Sequence, residues 1–238
     1  MPSKIAIVAI IGLTASAIFI GAGAAIGARE FGSLDLPFFN GPRCANIAGA
    51  TATSRDMDWD GSDHAGISIK ATANYAPGSG DEKVHITGDP QVLAHLRLRN
   101  GMIEEDCHGW NERDRDVTIT FPGRAFERFV LAGTGKINLD RLDQPHLDIK
   151  MAGVGTIKAS GKVEDLSIDM AGVSKADFGQ VSGRKAKLRM AGVNTADIAP
   201  TEDADIAIYG PSEVTLHSNP PHLDTSINGP GRIHKVSP

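Results

Sequence analysis

A repeat of about nineteen residues in the second half of the chain is the feature that most restricts its fold. Glycine recurs there at intervals of 18 to 20 residues. Three of the copies share the longer string Met-Ala-Gly-Val. This self-similarity indicates structural repeats that stack on one another. The six recurring positions are Gly133, Gly153, Gly172, Gly192, Gly210 and Gly229.

Apolar residues alternate around each of these glycines. Leu147, Ile149 and Met151 precede one of them, and a second short alternating run follows. A period of two indicates β-strands, and strands this short bury a core only when neighbouring copies stack in parallel ladders. Glycine fits the bend because it tolerates positive φ and close backbone approach. The sequence predicts an all-β fold, a single-stranded parallel β-helix or solenoid with coils of about nineteen residues.

Charges of alternating sign occupy one outward column of the predicted stack. Lys150, Asp169 and Arg189 stand at equivalent positions of successive copies. Opposite charges on neighbouring strands attract one another, which supports the register. We expect these pairs to be exposed, with each contributing about 0–1 kcal/mol to stability.

An uncharged apolar run occupies the beginning of the chain. It extends from Ile5 to Gly27, between Lys4 and Arg29. At ~1.5 Å per residue, a helix of this length crosses a hydrocarbon core of ~30 Å. This predicts one N-terminal transmembrane helix before the β-domain. A cleaved secretory signal is the open alternative, because Ala22-Gly23-Ala24 offers a cleavage site. Either interpretation places the rest of the chain outside the cytoplasm.

These patterns divide the chain into three parts. We expect residues 1–30 to be an anchor or signal segment and residues 31–54 to be a linker. Residues 55–238 form the predicted β-domain, with the regular repeats over 126–236.

Short alternating runs before the repeats predict further strands. Val84–Thr87, Leu93–Met102 and Val117–Phe121 alternate in this way, and the second run includes the turn pair Asn100-Gly101. Gly88-Asp89-Pro90 predicts a turn between the first two.

Two cysteines, Cys44 and Cys107, lie in the part predicted to be exported. An even count in an oxidising compartment suggests one disulfide. Two unpaired buried thiols remain the alternative, because spacing alone does not bring distant residues together.

Two carboxylates, Asp177 and Asp197, fall next to each other in an outward column. Strand spacing would separate them by ~5 Å, which is also the separation of a retaining glycosidase pair. Lys158 is next in that column and could neutralise the pair. A solvated acidic face is the alternative that we favour, and no catalytic residue is assigned.

A segment from Asp56 to Gly61 reads Asp-x-Asp-x-Asp-Gly, which opens a calcium loop. Position twelve of such a loop should supply a bidentate Glu, but Ile67 occupies it. A polar strand edge followed by a glycine turn is the simpler interpretation. We therefore assign no metal and no cofactor. The net charge of −5, without a basic block, gives no support to nucleic-acid binding.

Several segments together resemble a known family. They are the strand and turn at 84–89, the strand Val117–Pro122 that leads to Gly133, and the repeated corner itself. In these segments the chain is similar to the family of auto-transporter adhesins with a head GIN domain. The resemblance implies an exported bacterial protein with a β-helical fold, an expected role in adhesion, and no catalytic residues.

The corners depart from the family pattern, which usually reads Gly-Ser-Gly. Val, Thr or Pro replaces the Ser here, and Ser or Asn replaces the final Gly in three copies. A ladder of corner hydroxyls that binds a ligand is therefore in doubt for this chain.

The sequence as a whole favours a non-enzymatic protein of the bacterial cell envelope. We expect inner-membrane anchoring through the N-terminal helix, with the solenoid in the periplasm for binding or adhesion, or secretion after signal cleavage. Partners would be an envelope polysaccharide or a protein, and not nucleic acid. The alternative is a carbohydrate-active β-helix enzyme that acts on an envelope polysaccharide. Few aromatic rings argue against it, since Phe178 and Tyr209 are the only ones after Ala132.

Overall fold

The computed structural model describes residues 42–78, 82–108 and 116–236. These residues form an all-β structure, as the sequence predicted, with one helix of six residues in the described ranges. No helix within them is long and apolar enough to cross a membrane. The predicted anchor at residues 5–27 lies outside the described residues.

The elements follow one another closely along the chain. The helix is α1 (Pro90–His95). The strands are β1 (Ser54–Asp58), β2 (His64–Ile67), β3 (Ala71–Tyr75), β4 (Lys83–Gly88), β5 (Leu96–Arg99), β6 (Met102–Glu105), β7 (Val117–Thr120), β8 (Arg128–Leu131), β9 (Thr134–Ile198), β10 (Pro200–Tyr209), β11 (Glu213–Leu216), β12 (His222–Asn228) and β13 (Arg232–Lys235).

Parallel pairing between copies of the repeat organises the second half of the sheet. Ile206 lies beside Leu188 on one side and beside Thr225 on the other. β11 pairs in the same parallel manner with β9 and with β13. The partners are separated by about one repeat, so residues at equivalent repeat positions form continuous columns.

Apolar columns of the repeat form the core. Ile149, Ile168, Leu188 and Ile206 occupy one such column and are all buried. Neighbouring columns are filled in the same way and belong to one hydrophobic cluster. The alternation in the sequence therefore places its apolar residues inside.

Corner glycines of successive copies lie directly against one another. A Cβ built on Gly172 would stand 2.3 Å from the carbonyl oxygen of Gly153, and one on Gly153 would stand 2.2 Å from that of Gly133. φ is positive at Gly153, Gly172, Gly192, Gly210 and Gly229. Gly133 is different, because its φ is not positive. A Cβ built on Gly133 would lie nearest to the Ser68 carbonyl oxygen, at 2.9 Å.

One earlier segment joins the same parallel stack. β2 pairs with β8, where Ala65 faces Phe129 and Ile67 faces Leu131. β3 pairs with β9, where Ala73 faces Ile137. Residues 64–75 thus join the same set of parallel strands, although they stand more than sixty residues before these partners in β8 and β9.

The predicted strand at Leu93–Met102 is wrong in its first part. Residues Pro90–His95 form α1, and the strand begins only at Leu96. The side chain of Asp89 caps this helix by accepting hydrogen bonds from the backbone N–H groups of Gln91 and Val92. Proline at the first helical position has a suitable φ, so Asp-Pro here begins a helix and does not close a turn.

Antiparallel pairs are added where the stack begins. β4 lies between β1 and β7 and is antiparallel to both, and β5 is antiparallel to β6. Aromatic rings fill the core at this end with centroid separations of 4.9–6.4 Å. The rings are those of Trp59, Tyr75, Phe121, Phe126 and Phe129.

The charged column at Lys150, Asp169 and Arg189 is not exposed as expected. Lys150 and Asp169 are only 8% and 4% exposed, and their side chains meet at 3.2 Å. Arg189 approaches the other carboxylate oxygen at 4.0 Å and is more exposed. Burial changes the energetics, because a desolvated ion pair costs much more to disrupt than a surface pair.

Polar side chains at the third corner position form a buried ladder. Asn194 accepts a hydrogen bond from the Ser174 N–H, and its own N–H donates to Ser212 Oγ. The hydroxyls of Ser174 and Ser212 donate to the carbonyl oxygens of Gly153 and Gly192. These corner hydroxyls therefore bond to the protein itself, and they connect one repeat to the next.

We expect Asn194→Ala to destabilise the protein by about 1–3 kcal/mol. The substitution removes the side-chain hydrogen bonds that Asn194 accepts from the Ser174 N–H and donates to the Ala191 carbonyl oxygen, and it leaves both of these buried backbone groups unsatisfied. Urea unfolding of the whole chain measures this change. Val193→Ala at the adjacent exposed position is the matched control and should alter stability by no more than about 0.5 kcal/mol. Equal effects of the two substitutions would contradict a structural role for the ladder.

Candidate functional site

Five triplets with the order polar, apolar, polar lie at equivalent positions of the repeat. They read His-Leu-Asp, Asp-Leu-Ser, Lys-Ala-Lys, Asp-Ala-Asp and His-Leu-Asp, and they occupy residues 146–148, 165–167, 185–187, 203–205 and 222–224. Because side chains alternate along a strand, each triplet turns its middle residue inward and its outer two residues outward.

A groove with a volume of about 530 Å³ lies between the two outward columns. The register places Asp203 beside Lys185 and His222, and Asp205 beside Lys187 and Asp224. The groove therefore crosses the strands and spans five neighbouring triplets, about 19 Å at ~4.8 Å per strand. Its lining residues are His146, Asp148, Asp165, Leu166, Ser167, Lys185, Ala186, Lys187, Asp203, Ala204, Asp205, His222 and Asp224.

Charges of both signs line this groove, with five carboxylates and two ammonium groups. Lys185 Nζ lies 2.9 Å from Asp203 Oδ2. The hydrogen bond from Lys185, and then its charge, lower the pKa of Asp203 below its ordinary value. The same contact raises the pKa of Lys185. Both groups are therefore ionised at neutral pH, and a lowered pKa is the opposite of what a general acid requires.

Three other groove residues differ in how they are bonded. Asp148 accepts a hydrogen bond from Arg128 Nε at 2.9 Å. Asp165 Oδ1 is buried and accepts no hydrogen bond from the part of the chain that the structure describes. Lys187 is exposed at the centre of the groove. The groove thus offers charged donors and acceptors along its whole length.

The carboxylates Asp177 and Asp197 lie outside this groove. Lys175 Nζ approaches Asp197 Oδ2 at 3.4 Å, and His217 Nε2 approaches its Oδ1 at 3.4 Å. Both oxygens of Asp197 therefore face a basic group. This arrangement is typical of a structural ion-pair cluster, in which the carboxylate is engaged by two basic side chains of the protein itself.

The acidic residues of the segment 56–61 contact different partners. Asp56 pairs with His85 at 2.8 Å and Asp58 with Lys83 at 3.5 Å, both across the β1–β4 ladder. Asp60 accepts hydrogen bonds from the N–H groups of Ser62 and Gly101. These contacts fit the polar strand edge better than the calcium loop.

Cys44 and Cys107 are joined by a disulfide, with a Cα–Cα distance of 4.9 Å. His95 and Asp106 lie close to the Cys107 sulfur and would otherwise resemble a metal-binding set. The disulfide occupies that sulfur, and the two ring nitrogens of His95 contact Asp106 Oδ1 and the Ala45 carbonyl oxygen. We interpret this cluster as a structural link between residues 44–45 and the end of β6.

The groove residues were missed when the sequence was considered alone. Their signal is present as the recurring polar–apolar–polar triplet, but its polar members differ in charge from one copy to the next. Only the register shows that they share one surface.

Comparison with known proteins relates this structure to a family. Residues 108–220 match the family described as "Putative auto-transporter adhesin, head GIN domain", which confirms the resemblance seen in the sequence. No curated protein matches the chain.

Solved structures also resemble it. A putative adhesin from Bacteroides fragilis has a TM-score of 0.61 at 19% identity, over 77% of this chain and 96% of that one. A putative lipid binding protein from Parabacteroides distasonis has a TM-score of 0.44 at 16% identity, over 77% and 96% of the two chains. A putative adhesin from the same species has a TM-score of 0.45 at 10% identity, over 83% and 100%. The Bacteroides fragilis structure shows a similar fold.

Proposed function

We propose that this chain is a non-enzymatic binding protein of the bacterial cell envelope, because residues 108–220 match the family of auto-transporter adhesins with a head GIN domain. In this proposal the parallel ladders close into a β-solenoid. The apolar run at residues 5–27 anchors it in the inner membrane, and the solenoid extends into the periplasm.

The groove between the two charged columns is the observation that supports binding. It is long and open, and it presents charged groups on successive strands. An extended polar polymer lying along the groove would meet a new pair of side chains about every 4.8 Å. We propose an envelope polysaccharide as that ligand, because hydroxyl, amino and carboxylate groups all find partners among these side chains.

Binding and catalysis make different demands on the acidic residues. A glycosidase needs one carboxyl group with a raised pKa that donates a proton. In the groove, the pKa of Asp203 is lowered by Lys185 instead. Outside the groove, Asp197 is held between Lys175 and His217. These contacts favour a binding role over the carbohydrate-active enzyme.

The test is binding of the detergent-solubilised full chain to purified envelope polysaccharides, measured by calorimetry alongside a reducing-end assay. We expect Lys187→Ala/Asp205→Ala to weaken binding at least about tenfold, since it removes two charged contacts at the centre of the groove. Lys162→Ala, in an exposed ion pair outside the groove, is the control and should leave binding unchanged.

Two results would contradict the proposal. Wild-type affinity in the groove variant would place the ligand elsewhere. Release of reducing ends that Asp177→Asn/Asp197→Asn abolishes would make the chain an enzyme.

A further inference from the structure

The two ends of the sheet are built differently. Beyond β2 and β3, the strands β6, β5, β7, β4 and β1 continue the sheet at its N-terminal side. At the C-terminal side, β12 pairs with β10 and β13 pairs with β11, and no further strand follows among the described residues. β12 and β13 therefore form an edge whose outer backbone groups face away from the described sheet.

The apolar columns of the core continue to this edge, and their last side chains are partly exposed there. Leu223 extends the column of Ala204, and Ile227 extends the column of Ile208. Ile208 is fully buried, whereas Ile227 is 43% exposed. Ile233 similarly continues the column of the buried Val214 and is only partly covered. A repeat stack normally ends in a polar unit, and these partly exposed apolar side chains depart from that rule.

We propose that a second copy of this chain covers the edge, with β12 pairing antiparallel to β12 of its partner about a two-fold axis at Thr225. In this register Leu223 lies opposite Ile227 and Asp224 lies opposite Ser226. His222 lies opposite Asn228, so all seven residues of β12 have partners and no like charges face each other.

Other self-pairings of β12 fit less well. Moving the axis to residue 224 would place two copies of Asp224 opposite each other, which is repulsive. Moving it to residue 226 would leave Leu223 without an apolar partner within β12. The chemistry of the strand thus selects the register centred on Thr225, and an isologous contact of this kind closes as a dimer and builds no fibre.

A cysteine at the two-fold axis tests this register directly. Antiparallel partners have Cα atoms ~4.5–5.5 Å apart, which is within the range of a disulfide. The native cysteines are already bonded to each other and leave no free thiol. We expect the full-length Thr225→Cys chain, oxidised in detergent, to form a covalent dimer on non-reducing gels.

Ser226→Cys is the matched control, because residue 226 faces residue 224 of the partner and not itself. It should cross-link about tenfold less than Thr225→Cys, since the distance between its two copies exceeds the disulfide range. Oxidising a mixture of Ser226→Cys and Asp224→Cys chains should restore the dimer.

Solution mass gives an independent measurement. We expect the wild-type chain to sediment as a dimer and Ile227→Asp to sediment as a monomer with an unchanged circular dichroism spectrum, because a charge is placed in the apolar contact. A monomeric wild-type chain at its highest soluble concentration would overturn the proposal. Equal cross-linking of Thr225→Cys and Ser226→Cys would also overturn it.

Discussion

Asp169→Leu should destabilise this protein by about 3–5 kcal/mol, the range expected when one partner of a buried ion pair is removed. Lys150 and Asp169 face each other at 3.2 Å with very little exposure, and Arg189 approaches the same carboxylate. Without the carboxylate, a buried ammonium group loses its facing counter-charge while its desolvation remains. Urea unfolding of the whole chain measures the loss.

Two companion variants separate charge burial from a general effect of substitution. Asp203→Leu breaks a solvent-exposed ion pair of similar length and should destabilise the protein far less than Asp169→Leu. Lys150→Met/Asp169→Leu replaces both charges by apolar groups and should recover most of the stability lost in Asp169→Leu. If the double variant is as unstable as the single one, the effect comes from packing and the ion pair has little importance.

The column of Lys150, Asp169 and Arg189 also shows why the burial of a side chain was harder to predict than its ion-pair partners. The alternation of sign at Lys150, Asp169 and Arg189 correctly indicated that these residues are neighbours. Period-two alternation assigns each residue to the inner or outer face, and it assigned all three to the outer face. Exposure on that face depends on what the rest of the chain places there, and a local pattern contains no such information.

The repeat in the sequence predicted the parallel stacking of the copies with corner glycines, but it did not predict that residues 64–75 join them. Glycine spacing predicted parallel copies from Gly133 onward, and equivalent residues there do lie side by side. Residues 64–75 belong to the same stack but have Ser68, Ile69 and Lys70 where later copies have a glycine corner. Because their partners in β8 and β9 are more than sixty residues away, and those in β6 and β7 are at other, shorter separations, no fixed period connects them in the sequence.

Local chemistry was misread at one point where two interpretations share the same residues. Asp89-Pro90 begins turns and helices alike, since proline fixes φ near the value that both need. Val92 and Leu93 turn their side chains into the core from α1, and this tertiary contact favours the helix.

The groove could not be predicted from a local pattern either, because its charged side chains come from five separate copies of the repeat and only the strand register brings them together.

Gly172→Ala should be strongly destabilising, by about 2–6 kcal/mol, because it combines two costs at one corner. Its φ is +120°, which side chains rarely adopt and which costs about 1–3 kcal/mol. A Cβ there would also stand 2.3 Å from the carbonyl oxygen of Gly153, so the two corners would have to separate, at a cost of about 1–3 kcal/mol.

Gly49→Ala isolates the first of these costs. Gly49 has a φ of +81°, but a Cβ there meets nothing within 4 Å. It should therefore cost only about 1–2 kcal/mol from backbone strain. Urea unfolding of the two variants under one condition gives the difference, which measures how tightly successive repeats stack. Equal losses would mean that the corners separate freely, and the close stacking of the glycines would then contribute little to holding the copies of the repeat together.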